Sequence, residues 1–161
     1  MNIRRAQPQD LRAVVRIERA SFADPWPASL LAWYLQRPDG LHFVAEEAEV
    51  LGFLLALREE GPLAVVHVHN LAVHPSHQGR GVGTALLQAA IGEARSRGAC
   101  TVRLEVRTGN DKARRFYEQR GFRVVQVLPH YYEDGENAWA MELPLVRPAP
   151  QCCQEPADPG Q

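Results

Sequence analysis

Apolar and polar positions follow two rhythms along this chain, and the places where the rhythm changes divide it into elements. Asn2 to Arg5 is a short strand candidate, and after Pro8 an amphipathic helix starts near Asp10, carries Leu11, Val14, Val15 and Ile17 at helical spacing, and ends near Ser21 and Phe22. Pro27 suits a first helical turn, so Ala28 to Gln36 reads as a second helix closed by Pro38 and Gly40. Leu41 to Glu47 and Val50 to Leu57 read as two strands across a tight acidic turn, with Glu59-Glu60-Gly61-Pro62 as the next turn. Leu63 to Val73 is a long run rich in β-branched residues. Beyond the segment HPSHQGRGVG, Thr84 to Arg97 places Leu86, Leu87, Ala90, Ile91 and Ala94 on one helical face and stops at Gly98. Thr101 to Val106 is apolar and short enough for a buried strand. Asn110 to Arg120 spaces Ala113, Phe116 and Tyr117 as a helix before Gly121, and two strands, Phe122 to Leu128 and Ala138 to Leu145, flank the loop HYYEDGEN.

The predicted order is β-α-α-β-β-β-α-β-α-β-β, an α/β (α+β) domain with helices packed on a central sheet. A length of 161 residues, 45% of them hydrophobic and 23% charged, suits one globular domain, and residues 1–146 are its expected extent. Residues 147–161, RPAPQCCQEPADPGQ, lack any period and read as a mobile proline-rich tail. No segment reaches the ~20 apolar residues of a membrane span, and MNIRRAQPQD has no apolar stretch behind its arginines, so a cytoplasmic protein without a membrane partner is expected. Eighteen basic against nineteen acidic side chains leave a formal charge of −1, which gives no footprint for nucleic acid. Cys100 stands alone and Cys152 and Cys153 are adjacent in the tail, which is neither a disulfide framework nor a zinc spacing.

Gln78-Gly79-Arg80-Gly81-Val82-Gly83 lies between a predicted strand and a predicted helix. Its glycines let backbone approach a ligand closely, and the helix behind it turns N–H groups and dipole toward an anion. No Lys-Ser or Lys-Thr follows the last glycine, so this is not a Walker A loop, and it lacks the acidic partner of a dinucleotide fingerprint. The sequence leaves two readings open at this point, a pyrophosphate cradle or a tight connection. His67, His69, His74 and His77 invite a metal reading, but without a nearby cysteine or third ligand no metal is expected.

NLAVHPSHQGRGVGTALL at 70–87, followed by LEVRTGNDKARRFYEQRGF at 104–122, closely resembles the GNAT superfamily of acetyl-CoA-dependent N-acetyltransferases. Within it the likeness is to RimI-like and archaeal Ard-type protein N-terminal acetyltransferases, carried by Ile17-Glu18 through SFADPW at 21–26, LEVRTGN at 104–110 and HYYEDGENAWAMEL at 130–143. Two positions depart from the pattern: Asn137 stands where an aspartate is usual, and TGN where TSN or PSN is commoner. The resemblance implies a mixed, mostly antiparallel sheet of about seven strands with about four helices, whose fourth and fifth strands splay to hold acetyl-CoA. It implies cofactor contacts from Leu71, Ala72, Val73, Gln78, Gly79, Arg80, Gly81, Val82, Gly83 and Thr84, with Asn110 and Tyr117. Asn110 is then either a helix N-cap, a cofactor partner, or both.

The implied reaction moves acetyl from a thioester to an amine by direct attack, with Cys100 outside any nucleophile setting. An α-amine, with a pKa of ~7.7–8.0 against ~10.4 for lysine, is roughly a tenth neutral at pH 7, so a weak or water-relayed base suffices. Glu105, inside the run Val102 to Val106, is the first candidate base, and the likeness to Ard-type sequences implies His67 on the preceding strand as the second. Tyr117 stands where the resembled family has its general acid, beside Phe116, which reads as a core residue. Backbone N–H groups of Leu71 and Val73 would polarise the carbonyl. Glu18, Phe22, Trp26, Asn70, Tyr131 and Tyr132 are the candidate acceptor contacts, with Glu133 a further anion, although Phe22 and Trp26 also read as a staple between the first two helices. The expected acceptor is a protein N-terminus, a ribosomal one first by analogy, and the enzyme a monomer or weak homodimer. Acetylation of a small amine is the alternative, and a non-catalytic acetyl-CoA sensor the third reading.

Overall fold

A computed structural model describes residues 1–145. The tail expected at 147–161 lies outside the described residues. The strands are β1 (Asn2–Arg5), β2 (Phe43–Glu46), β3 (Val50–Arg58), β4 (Val65–Val73), β5 (Thr101–Arg107), β6 (Arg123–Leu128) and β7 (Ala138–Pro144). The helices are α1 (Leu11–Ser21), α2 (Ala28–Leu35), α3 (Val82–Ser96) and α4 (Asp111–Glu118). The strands form one seven-stranded sheet in the order β1-β2-β3-β4-β5-β7-β6. It is mixed: β4 runs parallel to β5, whereas β1 on β2, β2 on β3, β5 on β7 and β6 on β7 are antiparallel.

Two compact units are distinguished, one of residues 1–58 and 68–96, the other of residues 59–67 and 97–145 among the described residues. In the first, Val14 and Ile17 of α1, Leu31 and Leu35 of α2, and Phe53 and Leu55 of β3 are buried in one apolar cluster. Cutting Phe53 back to alanine would cost ~3–5 kcal/mol, because its site is fully enclosed. The chain enters α1 through a 3-10 turn, Pro8–Asp10, in place of a helix start at Asp10. The Asp10 carboxylate accepts from the Gln7 N–H at 2.7 Å and is forked by the Arg4 guanidinium at 2.9 Å, which holds its pKa below the ordinary aspartate value. α3 begins at Val82, ahead of the expected Thr84, because Val82 is already buried once the glycine loop has turned.

In the second unit, Val65, Val66 and His67 of β4 pair with Thr101, Val102 and Arg103 of β5, and β5 pairs with β7 along its whole length. Residues 102, 104 and 106 are buried while 101, 103, 105 and 107 are half-buried. β5 is therefore sealed on one face only, and the fully buried strand expected from its apolar content is corrected to a two-faced one. Its ion-bearing face carries Arg103, Glu105 and Arg107 together.

Candidate active site

In the first unit, the glycine loop follows a 3-10 turn, Pro75–His77, and leads into α3. Gly79 and Gly81 have φ of 79° and 80°, a left-handed backbone that glycine adopts without steric cost. A Cβ built at either would meet nothing within 4 Å, so the loop turns an open backbone surface outward. The Gln78 amide donates to the Val73 carbonyl at 3.2 Å, tying the loop to the end of β4. Arg80 is drawn to the acidic turn before β3, with Glu47 at 2.7 Å, and to His77 at 3.1 Å. Thr84 and Gly83 lie in the first turn of α3, Leu71 and Val73 on the half-buried face of β4, and Ala72 on its buried face. Uncovered backbone, a 15-residue helix behind it and a guanidinium nearby are a donor set that fits a pyrophosphate.

Glu18 is 1% exposed, and both of its oxygens are engaged: Oε1 accepts from the Trp26 N–H at 3.0 Å and Oε2 from the Asn70 amide at 2.8 Å. Burial raises its pKa, with these two donors pulling the other way. Glu18 thus holds the segment after α1 to β4 from inside. Trp26, in the connection between α1 and α2, stacks on Tyr34 of α2, ring centroids 5.5 Å apart at 22°, and packs against the apolar cluster that holds Val14 and Ile17 of α1. Phe22 is exposed.

In the second unit, His67 and Glu105, both candidate bases, are hydrogen-bonded, Nε2 to Oε2, at 2.5 Å. The other ring nitrogen, Nδ1, lies 3.2 Å from Glu59 Oε1 in the turn after β3. Arg103 in turn pairs with Glu142 at 3.0 Å and reaches Glu59 at 3.5 Å. The imidazole is held from both sides by carboxylates, a contact of strands that β4–β5 register creates and that spacing along the chain does not reveal. Glu59 and Arg103 are the residues that sequence reasoning missed here. The Glu59-Glu60-Gly61-Pro62 turn reads as a solvated connection, and only the strand pairing brings its first glutamate to an imidazole.

Tyr117 of α4 contacts Phe116 and Phe122 edge-on. Burial pushes its hydroxyl above the ordinary phenol value, so it stays protonated through the neutral range. Asn110 caps α4, its side-chain oxygen accepting from the Ala113 N–H at 3.1 Å. In the loop between β6 and β7, Tyr131 is exposed and Tyr132 half-buried, their rings at 88°. Burial pushes the Tyr132 hydroxyl up to about 12 against the pull of Arg107, with the negative charge of Glu105 and Glu136 adding to the rise. The described residues contain no group of three or more His, Cys, Asp or Glu that could hold a metal ion, and none of their helices is long and apolar enough to cross a membrane.

The model of the acetyltransferase (GNAT) family matches residues 10–122. This chain belongs to that family. The single GNAT domain of seven mixed strands and four helices that the resemblance implied is the fold observed. Among GNAT relatives, the chain is 36% identical over 154 residues to an N-alpha-acetyltransferase of Sulfurisphaera tokodaii, covering 89% of this chain and 92% of the relative. It is 34% identical over 140 residues to the ribosomal protein bS18-alanine N-acetyltransferase of Escherichia coli, covering 84% and 92%. Among solved structures, Ard1 of Thermoplasma volcanium superposes with a TM-score of 0.84 at 31% identity, covering 91% of this chain and 98% of that one.

Proposed function

We propose that this GNAT enzyme transfers acetyl from acetyl-CoA to the N-terminal α-amine of a protein, a ribosomal protein being the first acceptor class to test. The observation that carries the reading is the 2.5 Å hydrogen bond between His67 and Glu105, in a chain whose relatives include N-alpha-acetyltransferases of archaea and a ribosomal-protein-alanine acetyltransferase.

Bound acetyl-CoA supplies acetyl as a thioester, whose C–S bond breaks as the C–N bond to the amine forms. Backbone N–H groups of the glycine loop and the first turn of α3 hold its pyrophosphate, and those of Leu71 and Val73 polarise the carbonyl. Glu105, steadied by His67, takes the proton that the amine must lose. Tyr117, kept protonated by burial, gives the departing thiolate its proton. Tyr131 and Tyr132 grip the acceptor, while Glu18, bonded to Asn70, holds the Trp26 segment in place within its own unit. An α-amine, already roughly a tenth neutral at pH 7, needs no stronger base than this pair.

The test is thiol release from acetyl-CoA against peptides differing in their first residues, with N-terminally blocked lysine peptides, free lysine and spermidine as controls. Turnover confined to free α-amines is expected. Turnover on the small amines alone would overturn the peptide reading, and acetyl-CoA binding without turnover on a purified ribosomal-protein N-terminus or any peptide would make the chain a sensor.

A further inference from the structure

The segment between β6 and β7 has no regular structure, yet its polar groups converge on the end of β5 and the turn after it. Arg107, the last residue of β5, donates through Nη1 to Asp134 at 2.8 Å and to Glu136 at 2.9 Å. Its guanidinium carbon lies 4.0 Å from the centre of the Tyr132 ring. The grip is returned from the loop: the second oxygen of Glu136 accepts from the Gly109 N–H at 2.9 Å. A Cβ at position 109 would lie 2.8 Å from that same oxygen, so the carboxylate occupies the space a side chain would need. The glycine of TGN and the glutamate of the loop are thus one device, which accounts for the departure from the commoner serine. Backbone bonds close the loop on itself and on the same turn: the Tyr132 N–H donates to the Glu136 carbonyl at 3.2 Å, and the Thr108 N–H to the Asn137 carbonyl at 3.0 Å. The next residue, Asn110, caps the helix that carries Tyr117.

We propose that Arg107 and Glu136 are positioning residues that act through Tyr132. Together they strap the loop to the turn before α4, so that acceptor affinity depends on two side chains outside the chemistry. This rests on the reading of the loop as the acceptor grip. Arg107 suits the task because a planar guanidinium can pair with two carboxylates and stack on a ring at once, whereas an ammonium serves as a point charge. The loop pays its ordering cost on folding, so a peptide meets a formed surface.

Steady-state kinetics on the wild type, Arg107→Ala, Arg107→Lys, Gly109→Ala and Glu136→Ala separate this role from general damage. Arg107→Ala is expected to raise peptide KM about tenfold while acetyl-CoA KM and kcat stay within about twofold, with Arg107→Lys in between. Gly109→Ala raises peptide KM through its clash with Glu136, and adds nothing once Glu136 is alanine. An unchanged peptide KM in Arg107→Ala, or an equal rise in both KM values with a fall in kcat, overturns the proposal. Hydrogen exchange decides the strap without any acceptor: residues 130–137 exchange faster in Arg107→Ala than in the wild type, and unchanged protection overturns it even if the wild type proves to act on small amines alone.

Discussion

His67 Nε2 sits 2.5 Å from Glu105 Oε2, while the opposite ring nitrogen faces Glu59 at 3.2 Å. At that separation imidazole and carboxylate are joined by a single short hydrogen bond, so each fixes the position of the other. Side-chain exposure rises from 11% at Glu105 through 15% at His67 to 32% at Glu59, so Glu105 lies innermost and Glu59 toward solvent.

The pair makes its own prediction. Glu105→Gln should lower kcat/KM by ~10²-fold or more, His67→Gln by less, and the double variant should cost little more than Glu105→Gln alone. Losses that multiply across the double variant would show two independent groups. The check is kcat/KM for a free-amino peptide in the wild type, both single variants and the double variant.

Tyr117→Phe keeps the ring packed against Phe116 and Phe122 and removes only the hydroxyl proposed to give the thiolate its proton. Acetyl-CoA binding by calorimetry should stay within about twofold while turnover falls ~10²-fold. An unaffected rate would assign the residue to packing.

Gly81 and Gly92 separate backbone need from composition. Gly81 has φ of 80° with open space at its Cβ position, so Gly81→Val strains the loop by ~1–2 kcal/mol and puts a side chain where the pyrophosphate is proposed to lie. Acetyl-CoA binding should weaken about tenfold or more. Gly92, inside α3 and also with open space around it, should accept alanine with a gain of ~0.5–1 kcal/mol in stability and no change in binding. Equal acetyl-CoA affinity in both variants would remove the cradle.

Two carboxylates beside α1 pull stability in opposite directions with pH. Asp10, its pKa lowered first of all by Arg4, contributes stability that is present above the ordinary aspartate value and is lost as pH falls through its folded value. Glu18, its pKa raised by burial, contributes stability that is present below the ordinary glutamate value and is lost as pH rises through its folded value. Asp10→Asn should therefore lose most relative to wild type near neutrality and least in acid. Glu18→Gln should gain on wild type as pH rises above the ordinary glutamate value, as Asn70 turns its amide to meet the new one. Urea midpoints across pH are the measurement, and curves parallel to wild type would contradict both assignments.

The order of strands and helices was legible because it follows from local period: α1 shows its stripe of Val14 and Ile17, and Gly98 and Gly121 stop helices wherever the chain places them. The turn at Gly79 and Gly81 was legible for the same reason, since left-handed φ is what glycine adopts without steric cost. The sequence by itself determined the element order, the family and the candidates Glu105, His67 and Tyr117. Only the tertiary structure decided what each of them touches. It placed Glu105 on an ion-bearing strand face, put Glu59 behind His67, turned Glu18 inward onto Trp26 and Asn70, and joined Arg107 to Glu136. These contacts span up to 52 positions and rest on strand register and loop closure, which packing across the sheet chooses and which no pattern of neighbouring residues encodes.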